Sequence, residues 1–340
     1  MNILFLSHKF YPDVGGIEVN SEILANAFHQ AGHRVRLLTW SHQAGREQFP
    51  YKIRRNPGLV SLLREHLWAD IVYENNPCLR LAWPSLFFHK RGVVALCTWI
   101  GTENGKTRWQ DRFKMRWLKR ARSVIAVSES VRQKCWPAAT VISNPYRADI
   151  FKTKPAFKRK NSFVFLGRLV SDKGADLAIM AMRLLSDAIP QAESLTLTII
   201  GDGPDRRELE ELVLHLGISN HVKFSGVLRG ESLVSCLNNH KYLLVPSVWE
   251  EPFGNVALEG MACGCIPIVS DGGGLPDAVG KAGLVFPRGD VAALTECILD
   301  LLRNPMMEEA LREAAPAHLA AHRPEVIARK YLEVISNANH

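Results

Sequence analysis

Short apolar runs rich in Val, Ile and Leu alternate with amphipathic stretches along the whole chain. In the first half the runs fall at 3–7, 35–39, 70–73, 93–98, 124–128 and 140–143. In the second half they fall at 163–167, 195–201, 222–225, 242–246, 266–270 and 284–286. Runs that are apolar at nearly every position predict strands buried on both faces, and hence parallel sheets covered by helices. The stretches between them have legible ends: one around 25–29 stops at Gly32 and one over 206–215 stops at Gly217, as expected of glycine just past a last helical turn. The alternation breaks once, over 144–161 (NPYRADIFKTKPAFKRKN), where two prolines and six Lys or Arg residues read as a linker. The pattern predicts an α/β protein of two doubly wound domains, 1–150 and 151–323, facing across a cleft. A last helix over 324–340 is expected to pack back on the first domain. Ligands of such sheets bind beyond the carboxyl ends of the strands.

The length of 340 residues suits two full cores. No window approaches ~18 uninterrupted apolar residues, so no spanning helix is expected. The start, MNILFLSHKFYPD, has no basic region or small-residue cleavage site and reads as a first strand. The seven cysteines are an odd number without a paired CxxC, which predicts reduced thiols in a cytoplasmic protein. Cys263 and Cys265 read as small core residues. The net charge of +8 is unevenly placed. Lys and Arg outnumber Asp and Glu by 22 to 11 over residues 1–150 and are outnumbered 20 to 23 thereafter. A basic first half implies an anionic partner there. Nucleic acid fits only the charge, since no recognised binding module is present.

The densest chemical signal is SVWEEPFGNVALEGMACG, 247–264. Phe253, Gly254 and Asn255 open a helix whose first N–H groups, at Gly254, Asn255 and Val256, form an anion site. Glu251 precedes that helix, and Glu259 lies on it among small apolar residues, which argues against a solvated face. A carboxylate there can accept two hydrogen bonds from a ribose diol. A second signal, GRLVSDKG (167–174), places Arg168 and Lys173 in the loop after a strand, as suits a diphosphate. A third, FYPDVGGIE (10–18), puts Gly15 and Gly16 after the first strand, where backbone can approach a ligand. IIGDGP (199–204) is not a G-x-G-x-x-G dinucleotide fingerprint, and DGGGLPD (271–277) reads as a flexible loop. No Asp-x-Asp occurs in the chain, and no metal site is expected.

Taken together, GGIE, GRLVSDKG, IIGDGP and PSVWEEPFGNVALEGMACGCIPIVS resemble the group 1 family of retaining glycosyltransferases with the GT-B fold of two Rossmann-like domains. The resemblance spans nearly the whole chain and is strongest over 162–303. It implies a UDP- or GDP-linked sugar donor, no further cofactor, and donor binding by the second domain. Arg168 and Lys173 would hold the diphosphate and Gly16 would meet it from the first domain. Glu251 would bind sugar hydroxyls, Asn255 and Val256 would offer N–H groups, and Glu259 would take the ribose, with Leu228 near the base. On the acceptor side the candidates are His8, Asp13 and Glu103. Ile100 stands where the family often has His, and Asp277 where it usually has Glu.

Residues 106–122 (KTRWQDRFKMRWLKRAR) predict a helix with Trp109, Phe113 and Trp117 along one face and eight cations around it. The stripe either packs on the first sheet with the cations in solvent, or lies on an anionic membrane. The alternation of elements favours packing. The function expected is hexose or N-acetylhexosamine transfer to a glycan or lipid-linked anionic acceptor of the cell surface, at the inner face of the membrane. The alternatives are a non-catalytic nucleotide-sugar-binding subunit and a sugar-nucleotide epimerase.

Overall fold

The structure, a computed structural model, describes all residues except 14, 44–47, 89, 91, 102–108, 155–158, 190–194 and 340. The chain divides into two units, Met1–Tyr146 with His322–His340, and Arg147–Ala321. The division thus falls at residues 146 and 147, inside the linker stretch and four residues before the expected boundary.

The first unit holds seven parallel strands: β1 (Asn2–Ser7), β2 (Arg34–Thr39), β3 (Lys52–Arg55), β4 (Ile71–Asn75), β5 (Gly92–Leu96), β6 (Ser123–Ala126) and β7 (Thr140–Val141). Their order in the sheet is β3-β2-β1-β4-β5-β6-β7. The helices between them are α1 (Gly16–Gln30), α2 (Leu59–Trp68), α3 (Leu79–Ala82), α4 (Trp109–Leu118) and α5 (Glu129–Cys135), with a 3-10 turn at Trp83–Leu86. Strand β3 carries no apolar run (KIRR) and escapes periodicity. It forms because it is an edge, where Lys52 and Arg54 reach water and Glu65.

The second unit holds six parallel strands: β8 (Lys160–Leu166), β9 (Thr196–Ile200), β10 (Val222–Gly226), β11 (His240–Val245), β12 (Ile266–Ser270) and β13 (Leu284–Phe286), in the order β10-β9-β8-β11-β12-β13. Its helices are α6 (Ala175–Ala188), α7 (Arg206–His215), α8 (Gly230–Asn238), α9 (Asn255–Ala262), α10 (Leu275–Val279), α11 (Val291–Arg303) and α12 (Pro305–Ala321). Its core runs from Phe163, stacked on Tyr242 at 5.2 Å, through Leu197, Leu244 and Ile268 to Leu294 and Ile298.

The last helix, α13 (Pro324–Asn339), belongs to the first unit. Its buried residues Ile327, Ala328, Tyr331, Ile335 and Ala338 recur at helical spacing. Tyr331 meets Tyr73 of β4 edge-on at 5.9 Å, and Phe5 and Phe28 complete that aromatic cluster. The opposite face of the sheet, with Leu4, Leu6 and Val72, is covered by Leu62 of α2, Leu81 and Ala82 of α3, and Trp117 of α4.

All seven cysteines are free, with Cys263 and Cys265 buried.

Candidate active site

Strand order locates the site. In the second sheet, β8 is followed by β9 on one side, while β11 returns to the other side of β8. Between β8 and β11 the winding reverses, and ligands of such sheets bind beyond the strand ends at that point. The β8 loop carries Arg168 and Lys173; the β11 loop carries Ser247, Trp249 and Glu251.

The two loops are joined. The Lys173 ammonium donates to Glu251 Oε1 at 2.5 Å and lies 4.9 Å over the Trp249 ring. The Asp172 carbonyl accepts the N–H groups of Val248 and Trp249 at 3.0 and 3.1 Å, and the Ser247 hydroxyl lies 3.0 Å from it. Ser247 Oγ also stands 3.2 Å from Glu251 Oε1, and the Ser270 hydroxyl of β12 donates to the Ser247 carbonyl at 2.6 Å. The loops approach this closely because Gly174 has φ +71° and no side chain: a methyl there would come within 1.9 Å of the Pro246 carbonyl oxygen. On the far side, Gly273 (φ +69°) lies against Glu251, and the Gly274 N–H donates to the Glu251 carbonyl at 2.7 Å. The 271–277 segment, expected to be a flexible loop, is tied down by these contacts and by the Arg288 N–H bonding Asp271 Oδ1 at 2.9 Å.

Glu251 precedes α9, which Gly254 caps. Asn255 and Val256 open the helix, so its first-turn amides and positive dipole end follow directly on the loop that carries Glu251. The Phe253 ring is 2% exposed and anchors the loop, so what Phe253 presents at the surface is backbone. Glu259, one turn into α9, is half-buried. Desolvation by the surrounding protein raises its pKa to about 7, with the Arg147 charge opposing that rise. It is not a solvated helix residue. Arg168 is exposed, with no side-chain partner among the described residues, and Leu228 is half-buried in the loop after β10. The structure brings Lys173 and Glu251 into contact and does not bring Arg168 or Leu228 into that cluster. Ser247, Trp249 and Arg147 escaped sequence reasoning. The place of the first two in the loop directly after a strand was visible, but only the contacts set them apart.

In the first unit the winding reverses between β1 and β4. There His8 follows β1 and bonds the Pro77 carbonyl. Its pKa is held below the usual histidine value by burial, then by the charges of Arg80 and Lys114. Asp13 is engaged, its Oδ2 accepting the Ser41 hydroxyl at 2.5 Å. Gly16 is the exposed first residue of α1. Ile100 is half-buried, its N–H 3.3 Å from Cys135 Sγ. Glu103 lies outside the described residues. Among the described residues no three His, Cys, Asp or Glu side chains cluster as a metal site.

The family model for group 1 glycosyl transferases matches residues 147–318. The chain is 35% identical over 144 residues to the 2-deoxystreptamine glucosyltransferase of Streptomyces kanamyceticus, covering 42% of this chain and 36% of that protein. It is 37% identical over 163 residues to the D-inositol 3-phosphate glycosyltransferase of Corynebacterium jeikeium, covering 46% and 38%. The matches thus span little more than a third of the length of these curated relatives. Among solved structures, Anabaena HepE in complex with UDP and glucose superposes with a TM-score of 0.80 at 20% identity, over 99% of this chain and 100% of that one. Sucrose-phosphate synthase from Thermosynechococcus elongatus superposes at 0.78 and 21%, over 99% and 98%. The protein has the GT-B fold of two parallel-sheet α/β domains and belongs to the group 1 family of glycosyl transferases.

Proposed function

We propose that the protein transfers a hexose or N-acetylhexosamine from a UDP- or GDP-linked donor to a glycan or lipid-linked anionic acceptor, with retention at the anomeric carbon and without a metal. The observation that carries this reading is the convergence of Lys173, Ser247 and Glu251 beside the start of α9, at the point where the second sheet reverses its winding. Breaking a sugar–phosphate bond develops negative charge on the diphosphate and positive charge on the anomeric carbon. Lys173 and the α9 amides oppose the first as fixed charges, and Arg168 is an exposed cation on the same loop. Glu251 holds donor-sugar hydroxyls next to the reacting carbon. Glu259, ionised, accepts the ribose diol. Retention follows if the departing diphosphate takes the acceptor proton on the face it leaves, a step that needs no protein base and tolerates Ile100.

The acceptor class rests on the basic first half and on what relatives are named for, including a GDP-mannose-dependent monoacylated alpha-(1-6)-phosphatidylinositol monomannoside mannosyltransferase of Corynebacterium glutamicum. Seven free thiols suit the cytoplasmic side of the membrane.

The test is release of nucleoside diphosphate from a panel of UDP-, GDP- and ADP-sugars, with and without membrane extract, in chelator and in added divalent metal. One donor is expected to respond, with extract and regardless of chelator, and Glu251→Gln to lower the rate at least ~100-fold. Silence across the panel with metal present would select the non-catalytic subunit. Conversion of the donor sugar without acceptor would select the epimerase.

A further inference from the structure

Apart from Val141 of β7, the large apolar side chains exposed among the described residues of the first unit fall on three segments. Leu59, Val60 and Leu67 of α2, Phe87 after the 3-10 turn, and Trp109 and Phe113 of α4 are all between 57% and 69% exposed. These three segments form one layer over the β1 and β4 face. The 3-10 turn contacts α2, and a groove of about 400 Å³ lined by Ser85, Leu86, Trp117 and Arg120 runs between the turn and α4. The layer turns Leu62, Glu65 and His66 of α2 and Asp111 and Leu118 of α4 inward.

The expected packed stripe is therefore corrected. Only Trp117 of the three aromatics is held, donating to Glu74 Oε1 at 2.8 Å. Helix α4 turns because Asp111 and Leu118 take the sheet side, and that rotation carries Trp109 and Phe113 outward, where they meet edge-on at 5.8 Å. Arg112 and Arg116 share that outer side at helical spacing, and Lys119 and Arg120 follow it. All four are exposed, and none has an ion-pair partner among the described residues. A helix that faces water shows charge and hides aromatics; this one shows both together.

We propose that this layer is a docking face for an anionic lipid bilayer. The aromatic and aliphatic side chains enter the headgroup boundary, and Arg112, Arg116, Lys119 and Arg120 meet lipid phosphates. Charge selects this occupant over a second copy of the chain. A two-fold pair would set each cluster of unpaired cations against its own image, on the half of the chain where cations outnumber acids 22 to 11. The inference does not depend on the donor or the reaction.

The experiment is co-sedimentation of the full chain with vesicles of phosphatidylcholine alone and with about 30% phosphatidylglycerol. Binding is expected on the anionic vesicles, at least about tenfold weaker on the neutral ones and in ~0.5 M salt. The exposed double substitution Trp109→Ala/Phe113→Ala should weaken it about tenfold with an unchanged melting temperature. Arg112→Glu/Arg116→Glu should abolish it. Leu214→Ala, an equally exposed apolar side chain on α7, should change nothing. Equal binding to both vesicle types, or wild-type binding by the Trp109/Phe113 variant, overturns the proposal. So does a dimer on a sizing column that this variant turns into monomer while vesicles bind neither, which would assign the face to a second copy.

Discussion

The Lys173 ammonium and the Glu251 carboxylate lie 2.5 Å apart across 78 residues of chain. The contact follows from strand order, since β8 and β11 are neighbours and each loop leaves at the same end. Both side chains are mostly buried, 21% and 16% exposed, so each satisfies a charge the other would otherwise leave unpaired. On the proposed function, a diphosphate entering here would exchange a phosphate oxygen for the carboxylate on Lys173, leaving Glu251 with the Ser247 hydroxyl and free to take sugar hydroxyls.

Lys173→Ala removes that exchange. Calorimetric affinity for UDP or GDP, whichever binds, should fall at least about tenfold, as loss of a charge-assisted hydrogen bond of ~1.5–3 kcal/mol requires. Unchanged affinity would remove Lys173 from the phosphate site.

Glu259 supplies a pH signature. With its pKa raised to about 7 by desolvation, the folded protein keeps a proton there that the unfolded chain has already lost. Stability therefore declines as pH rises from the unfolded carboxylate range to about 7, and is level above it. Glu259→Gln should flatten that decline in urea titrations. If the ionised form accepts the ribose diol, nucleotide affinity in the wild type should also rise through pH 7, over and above the rise measured for the Gln variant. Parallel pH profiles for the two proteins would count against the ribose role.

Gly174→Ala tests the close approach of the two loops. Its positive φ and a methyl 1.9 Å from the Pro246 oxygen force the β8 and β11 loops apart. Thermal unfolding should show a loss of at least about 2 kcal/mol. Nucleotide binding should weaken even though no charged group was changed.

Glu65 holds the polar edge of the first sheet through Arg36 at 2.6 Å, Arg54 at 3.4 Å and Lys52 at 3.6 Å. Burial raises its pKa, but these cations outweigh it, and the net shift is downward. Its contribution is therefore complete above the unfolded carboxylate pKa of about 4.3 and lost as pH falls through the folded value. Glu65→Ala should cost about 2–3 kcal/mol near pH 7, below the ~3–5 of a sealed pair because the three cations still reach water. The penalty should shrink in acid, read by urea unfolding at both pH values.

Much of the site was legible because a doubly wound sheet places its ligand groups in loops after strands, and those loops carry their own glycine and charge patterns. GRLVSDKG and SVWEEPFGN could be read without knowing that they touch. The burial of the Phe253 ring was not legible, because its position beside Gly254 gives no sign of which way the ring turns. Ser247 was passed over because a serine after a strand is common; only its distances to Asp172 and Glu251 distinguish it.

What the sequence determined by itself is the alternation of buried strand and covering helix, the two-sheet architecture, and which loops bear cations, carboxylates and free amides. These are local properties, written in the apolar period and in residue type. Tertiary structure alone decided three further things. It paired Lys173 with Glu251, because strand order rather than chain distance makes neighbours. It formed β3 from polar residues, because an edge needs only one partner. It turned Trp109 and Phe113 outward, because a helix has one inward side and Asp111 and Leu118 took it.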